Sequence, residues 1–360
     1  MTPLGDILAR RIAADGPMRL SDYMAECLLH PVHGYYATRD PFGAAGDFTT
    51  APEISQMFGE MLGLCLAQSW LDQGRPARFA LAEIGPGRGT LMADMLRAMR
   101  AVPGMVAAAE VHLVEASPAL RARQAETLSA HAPRWHDHIG TLPDLPLFLV
   151  ANEFFDALPI RQFERRGTGW TERQVGLRDG RLVPGLGPVT PYPALAARLG
   201  DTAEGGIIET CPSLPGIAGE IGARIAARGG AALVIDYGGW HSRGDTFQAL
   251  KGHAAADPLA EPGEADLTAH VDFEALALAF NAAGARATAM VPQGVFLERL
   301  GITARAGALA RPLAGAALTS HVAAHRRLTH PDEMGQLFKV IGCHANGHPA
   351  PPGLDAAHDA

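Results

Sequence analysis

A chain of 360 residues, 48% of them hydrophobic and 19% charged, is long enough to bury a sizeable core and too apolar to be disordered throughout. Its formal net charge of −8 excludes a generic nucleic-acid binder, which needs a basic face to displace counterions from phosphates. The four cysteines, Cys27, Cys65, Cys211 and Cys343, are far apart and form no C-x-x-C pair, so neither a zinc knuckle nor a disulfide scaffold is expected.

Near the N-terminus Leu4, Ile7, Leu8 and Ile12 keep helical spacing, but Asp6 interrupts any signal-peptide core and the run is too short to span a bilayer. A cytoplasmic protein without stable membrane insertion is expected. In LSDYMAECLLHP, Leu20, Tyr23, Met24, Cys27 and Leu28 share one helical face, with Ser21 as a cap and Pro31 ending the run. A second stripe, Ile54, Met57, Phe58, Met61, Leu62, Cys65 and Leu66, predicts a helix that starts at Pro52 and buries itself against the domain or against a second copy in a homodimer. The intervening HGYYATRDPFGAAGDFTTAPE reads as a long loop.

From Phe79 onward strands and helices alternate. FALAEI, EVHLVEA, LPLFLVANEFFD, AALVIDYGG, ARATAMV and FKVIGC read as strands, with helices at TLMADMLRAM, ALRARQAETL, AGEIGARIAARG and DFEALALAFNAAG. That alternation predicts an α/β fold, a doubly wound, mostly parallel sheet covered on both faces. Ile160 to Pro188 breaks the pattern with short alternating strands and an Asp179-Gly180 turn, which predicts an inserted β-meander. The expected organisation is a helical region over residues 1–75, a core over 76–345 with its β insertion near 160–205, and a disordered Pro- and Ala-rich tail over 346–360.

AEIGPGRGTLMADML places Gly85, Pro86, Gly87 and Gly89 in the first strand-to-helix turn, where parallel sheets bind ligands. A phosphate loop needs Lys then Ser or Thr after the last glycine, and Thr90-Leu91 stand there instead. A dinucleotide fingerprint needs G-x-G-x-x-G, whereas here the spacing is G-x-G-x-G with Glu83 two residues ahead, an anion that would repel a pyrophosphate. S-adenosylmethionine (SAM) has no phosphate and carries an ammonium for Glu83 to meet, directly or through water, while the glycines admit close backbone approach. Glu115, ending the second strand, suits the two ribose hydroxyls. Farther along, Asp137 is placed to accept from the adenine amino group, with Ile139 or His138 packing on the ring. His136 and His138 lack the cysteine and carboxylate companions of a zinc site, so no metal is expected. E-x-G-x-G-x-G followed by an acid on the next strand resembles class I (Rossmann-like) SAM-dependent methyltransferases.

Asn152, Glu153 and Asp156 directly follow an apolar strand, at the edge where an acceptor would meet the methyl group. An arginine guanidinium needs carboxylates to orient it and to take up charge as a proton leaves, and Glu153 and Asp156 are the obvious pair. A nucleobase acceptor would call for an N-P-P-Y-like motif, which is absent.

Together GDFTTAPEISQMFGE, LAEIGPGRGTLM, NEFFDALPIRQF, VIDYG, ADLTAHVDF, QGVFLERLGI and MGQLFKVI resemble the MidA family across nearly the whole chain and in order. The resemblance implies a class I methyltransferase core with SAM at the glycine loop and an N-terminal helical region over the pocket. By analogy with the family's mitochondrial arginine methyltransferase, which assists assembly of respiratory complex I, it implies a protein arginine acceptor on the subunit lining the quinone site. The setting would be the mitochondrial matrix in a eukaryote. The alternative is a SAM-fold assembly factor that works mainly by binding its partner, or a methyltransferase on another acceptor. The same pattern gives Asp47, Thr49 and Thr50 a role in meeting the SAM carboxylate or steering substrate, with ordinary N-capping as the competing role. Asp236, Tyr237 and His270 are expected to line the acceptor channel.

Overall fold

The computed structural model describes residues 2–38 and 50–357. The chain divides into two compact units. The larger comprises residues 49–155, 215–240 and 273–360; the smaller comprises 1–48, 156–214 and 241–272.

The larger unit is built on a sheet whose principal strands are β1 (Phe79–Ile84), β2 (Ala109–Val114), β3 (Arg134–His136), β4 (Leu147–Asn152), β5 (Gly230–Gly239) and β6 (Phe338–His344). Their order is β6-β5-β4-β1-β2-β3. The strands from β5 through β3 are mutually parallel, and β6 runs antiparallel to β5. Every residue of β1 and β4 is buried, which is why these segments read as continuous apolar runs rather than alternating ones. Phe79 and Phe148 meet edge-on at 5.2 Å between neighbouring strands.

Helices α1 (Gln56–Asp72) and α2 (Thr90–Met99) pack on this sheet, and the stripe Met57, Phe58, Met61, Leu62, Cys65 and Leu66 is buried within the unit's own core. Their crossing is close because Gly59 and Gly63 face α2: a Cβ on Gly63 would stand 2.8 Å from the Met95 Cα. The Glu60 carboxylate holds the helices together. Burial alone would raise its pKa, but the guanidinium groups of Arg305 and Arg97 outweigh that and hold it low.

Several expectations are corrected here. The helix expected to start at Pro52 is broken: Ala51–Ile54 forms one turn, Ser55 is extended, and its hydroxyl caps α1 by accepting from the Met57 amide at 3.2 Å. ARATAMV is two short edge pairings on β6, at Arg286–Ala287 and Val291–Pro292, not one strand. Described residues of the tail pack on the larger unit: Leu354 joins the core, Ala356 bridges Thr288, and the Cys65 thiol donates to the Pro352 carbonyl at 3.3 Å.

In the smaller unit the inserted strands Arg161–Arg166, Gly169–Arg178 and Arg181–Thr190 form the expected meander, joined by Ile207–Thr210 and the short Met18–Arg19. Asp179 (φ 50°) and Gly180 (φ 75°) are both left-handed, the two-residue turn that matches strand twist. The N-terminal helices Pro3–Asp15 and Leu20–Leu29 contribute Leu8, Tyr23 and Met24 to the same core as Val175 and Leu182 of the meander. Residues 1–75 thus fall into both units, because an apolar stripe shows that a helix is buried but not which sheet buries it.

Candidate active site

The strand order reverses between β1 and β4, so their chain crossings depart in opposite directions and leave a crevice beyond the carboxyl ends. Glu83, Ile84 and the glycine loop are there. Gly85, Gly87 and Gly89 have φ of 65°, 51° and 82°, all left-handed. Side chains resist that conformation, and a Cβ on Gly85 would also press against the Phe154 ring at 3.1 Å. The Gly89 amide closes the turn on the Pro86 carbonyl at 2.7 Å, and α2 begins at Thr90.

Glu83 is 3% exposed, and its Oε2 is buried without a hydrogen-bond partner. Burial pushes its pKa up to about 8, and the negative charge of Glu115 adds to the rise; a hydrogen bond from the Met92 backbone amide pulls the other way. An orphaned buried acceptor beside a second acid is costly in isolation and is relieved by a cation. The Glu115 carboxylate accepts from the Ser117 amide at 2.8 Å and from Gln124 Nε2 at 3.2 Å, and burial raises its pKa.

Beyond β3, Asp137 is exposed and paired with Arg121 at 2.5 Å, and the Arg121 guanidinium also donates to the Glu115 carbonyl. Ile139 is buried and His138 exposed, which leaves Ile139 as the apolar side chain of that turn. His136 is joined to His112, Nε2 to Nδ1, at 2.9 Å, and to the Thr141 hydroxyl at 2.9 Å. Among the described residues no group of three or more His, Cys, Asp and Glu could hold a metal.

At the end of β4, Asn152 is buried and its Nδ2 donates to Glu153 Oε1 at 3.1 Å, while its Oδ1 has no partner. Glu153 has φ 52°, a left-handed conformation that strains a non-glycine residue. Its carboxylate also accepts from the Ala51 amide at 3.3 Å, so the single turn after Thr50 touches Glu153. Thr50 occupies the cap position of that turn but makes no side-chain capping bond. A further tie, from the Thr90 hydroxyl to Glu53 at 2.7 Å, joins the turn to the start of α2. Asp47 and Thr49 lie outside the described residues.

The remaining expected positions are placed differently. Asp236 is fully buried, and its carboxylate oxygens accept the amides of Phe155 and Tyr237, each at 3.0 Å, which makes it a brace of the backbone. Tyr237 packs edge-on against Phe338 at 5.4 Å. Asp156, buried, and His270 belong to the smaller unit, whereas Asn152 and Glu153 belong to the larger. Sequence reading missed Gln124 and Arg121, because the run ALRARQAETL is polar and gives no sign of which of its side chains turn inward, and it missed Trp135, whose partner is Gln124.

The chain fits the cofactor that its glycine loop announced. A mostly parallel sheet with an antiparallel last strand, a left-handed glycine turn at the switch point and acids ending β1 and β2 define a class I SAM-dependent methyltransferase. Residues 61–291 match the model of the S-adenosyl-L-methionine-dependent methyltransferase family Methyltransf_28. The chain is 36% identical to the protein arginine methyltransferase NDUFAF7, mitochondrial, of Danio rerio, over 93% of this chain and 85% of that protein. Against the Homo sapiens protein of the same name the identity is 35%, over 95% and 83%. A COG1565 superfamily member from Burkholderia thailandensis, crystallised with S-adenosyl-homocysteine, aligns with a TM-score of 0.84 at 34% identity, covering 99% of this chain and 93% of that one. The chain belongs to this methyltransferase family, and the resemblance to MidA proteins read from its motifs is borne out.

Proposed function

We propose that the protein methylates the guanidinium of an arginine in a protein substrate, with Glu153 as the carboxylate that orients it and Asn152 beside it. The observation that carries this reading is the strained Glu153, held left-handed at the carboxyl end of β4 with its side chain tied to Asn152 and the Ala51 amide. Relatives named protein arginine methyltransferases match along almost the whole chain, which supports the same acceptor.

On this reading Glu83, Gly85, Pro86, Gly87 and Gly89 hold the amino-acid end of SAM, Glu115 the ribose, and Ile139 with Asp137 the adenine. When bound, SAM supplies an electrophilic methyl on its sulfonium. Glu153 would orient one guanidino nitrogen for in-line approach to that methyl, and a carboxylate would take up the proton that the nitrogen releases. Asp156 serves as the second acid. Thr50, with Asp47 and Thr49, steers substrate toward the turn at Ala51. Tyr237 and His270 contribute to acceptor binding, with Asp236 acting through the backbone it braces.

The partner is a respiratory complex I subunit, the one that lines the quinone site, and methylation aids assembly of the complex. The protein works in the cytoplasm, or in the mitochondrial matrix of a eukaryote; among the described residues no helix is long and apolar enough to cross a membrane. Mass spectrometry of complex I subunits from cells with and without the protein tests this, and Glu153→Gln refines it. The variant should bind S-adenosyl-homocysteine normally and lose transfer by roughly a hundredfold or more. A methyl pattern unchanged by loss of the protein would refute the substrate, and full activity in the variant would remove Glu153 from the mechanism.

A further inference from the structure

Gln124 lies on the helix Pro118–Thr127, in a run of polar residues, yet its side chain is fully buried and none of its polar atoms lacks a partner. Its Oε1 accepts from the Trp135 indole at 2.8 Å. An indole N–H can only donate, so it fixes which end of the amide faces β3. The two N–H groups are thereby turned toward the Gly87 carbonyl at 2.7 Å and Glu115 Oε2 at 3.2 Å. The glycine loop runs close to this helix: a Cβ added to Gly89 would be in van der Waals contact with the Gln124 Cα and Cγ, each at 3.6 Å.

We infer that Gln124 is a positioning residue for the cofactor: one oriented amide holds the glycine loop and the ribose-binding carboxylate in register and, through Glu115, sets the affinity for S-adenosyl ligands. The inference rests on the reading that Glu115 binds the ribose hydroxyls. A carboxylate that accepts from a diol must be ionised and correctly turned. Burial opposes the first requirement, and the Ser117 amide holds only Oε1, which leaves Oε2 to a side-chain donor. The Gln124 amide meets both needs by donating to Oε2, and its second N–H pins the loop whose glycines approach the same ligand. Trp135 in turn prevents the amide from turning over, which would put an oxygen against the Glu115 carboxylate and the Gly87 carbonyl.

The test is calorimetric titration of the full chain with S-adenosyl-homocysteine from pH 6 to pH 9, for wild type, Glu115→Gln, Gln124→Glu and Trp135→Phe. Glu115→Gln should weaken binding about tenfold or more at every pH, as expected for a charge-assisted bond. Gln124→Glu keeps the volume and the acceptor for Trp135 but sets a second carboxyl against Glu115. Its affinity should match wild type to within a few-fold at pH 6, where a shared proton restores one bond, and lie about tenfold or more below wild type at pH 9. A purely structural role would give no such pH-dependent rescue. Trp135→Phe should weaken binding several-fold without that pH dependence. Unchanged binding in Glu115→Gln would overturn the ribose reading and the inference with it. Weakened binding there, with Gln124→Glu following the wild-type pH profile, would overturn Gln124 alone. Should Gln124→Glu fail to fold, Trp135→Phe decides, and wild-type affinity in that variant would overturn the inference.

Discussion

The Asp236 carboxylate, sealed at the end of β5, accepts the backbone amide of Phe155 at 3.0 Å and so fixes the chain just after Asn152 and Glu153. Its other oxygen takes the Tyr237 amide. Asp236→Ala would leave two buried amides without acceptors and is expected to cost about 3 kcal/mol. Asp236→Asn, which retains one acceptor, should cost less. Urea unfolding measures both, and equal midpoints for wild type and the alanine variant would show that the brace carries no load.

Cofactor binding should release a proton near neutral pH. Glu83, with its pKa pushed up to about 8 by burial, holds its proton at pH 7 without ligand and loses it when an ammonium arrives. Affinity for S-adenosyl-homocysteine is therefore expected to rise with pH up to about 8 and level off above it. The same shift makes the unliganded fold lose stability as pH climbs from 4.5 towards 8, since the unfolded carboxyl ionises first. Calorimetry in two buffers of different ionisation enthalpy counts the protons. No release in wild type, or equal release in Glu83→Gln, would assign the proton to another group.

Gly87→Val should abolish the rise in melting temperature that SAM produces. The position has φ 51°, and a β-branched residue is strained there in addition to filling the space of a close backbone approach. A variant that folds and still shows the full thermal shift would dissociate the loop from the cofactor.

Acid should weaken the larger unit through His112. Thr141 donates its hydroxyl to the His138 carbonyl and so accepts from His136 Nδ1, which leaves His136 Nε2 to accept from His112 Nδ1. His112 Nε2 is then a bare lone pair, buried without a partner. Burial, with the neighbouring His136, depresses the His112 pKa to about 4. The folded state refuses a proton that the unfolded chain accepts below about 6.5, so stability falls as pH drops from 6.5 to 4, by up to about 3 kcal/mol. His112→Asn keeps a donor near the Nδ1 position and should flatten that slope in denaturant titrations. An identical slope in the variant would place the titration elsewhere.

The glycine loop, Glu83 and Glu115 were legible because each belongs to a local pattern: an apolar strand, a turn with residues free to go left-handed, and an acid at a strand end. The Asp179-Gly180 hairpin was legible for the same reason. What was hidden depends on distant partners. Gln124 reads as one more polar helix residue until Trp135, Gly87 and Glu115 are brought to it from three other segments. The break at Ser55 was masked by a stripe that runs on in phase across it, and the tail's packing comes from Cys65, Thr288 and Arg299, none of them near it in sequence. That Asp236 braces the backbone was hidden too, because a polar side chain ending a strand can face solvent or backbone, and only the fold chooses.

Glu153 occupies a backbone angle at which glycine would be at ease, and a substitution there to Gly or Asn would relieve roughly 1 kcal/mol of strain. On the proposed role of Glu153 as the orienting carboxylate, a descendant of this chain that kept its architecture but no longer transferred methyl groups would retain an acid there only for its bonds to Asn152 and the Ala51 amide. The identity of residue 153 is thus a historical marker, expected to drift toward glycine or asparagine in lineages where the chemistry has lapsed and to stay acidic where it has not.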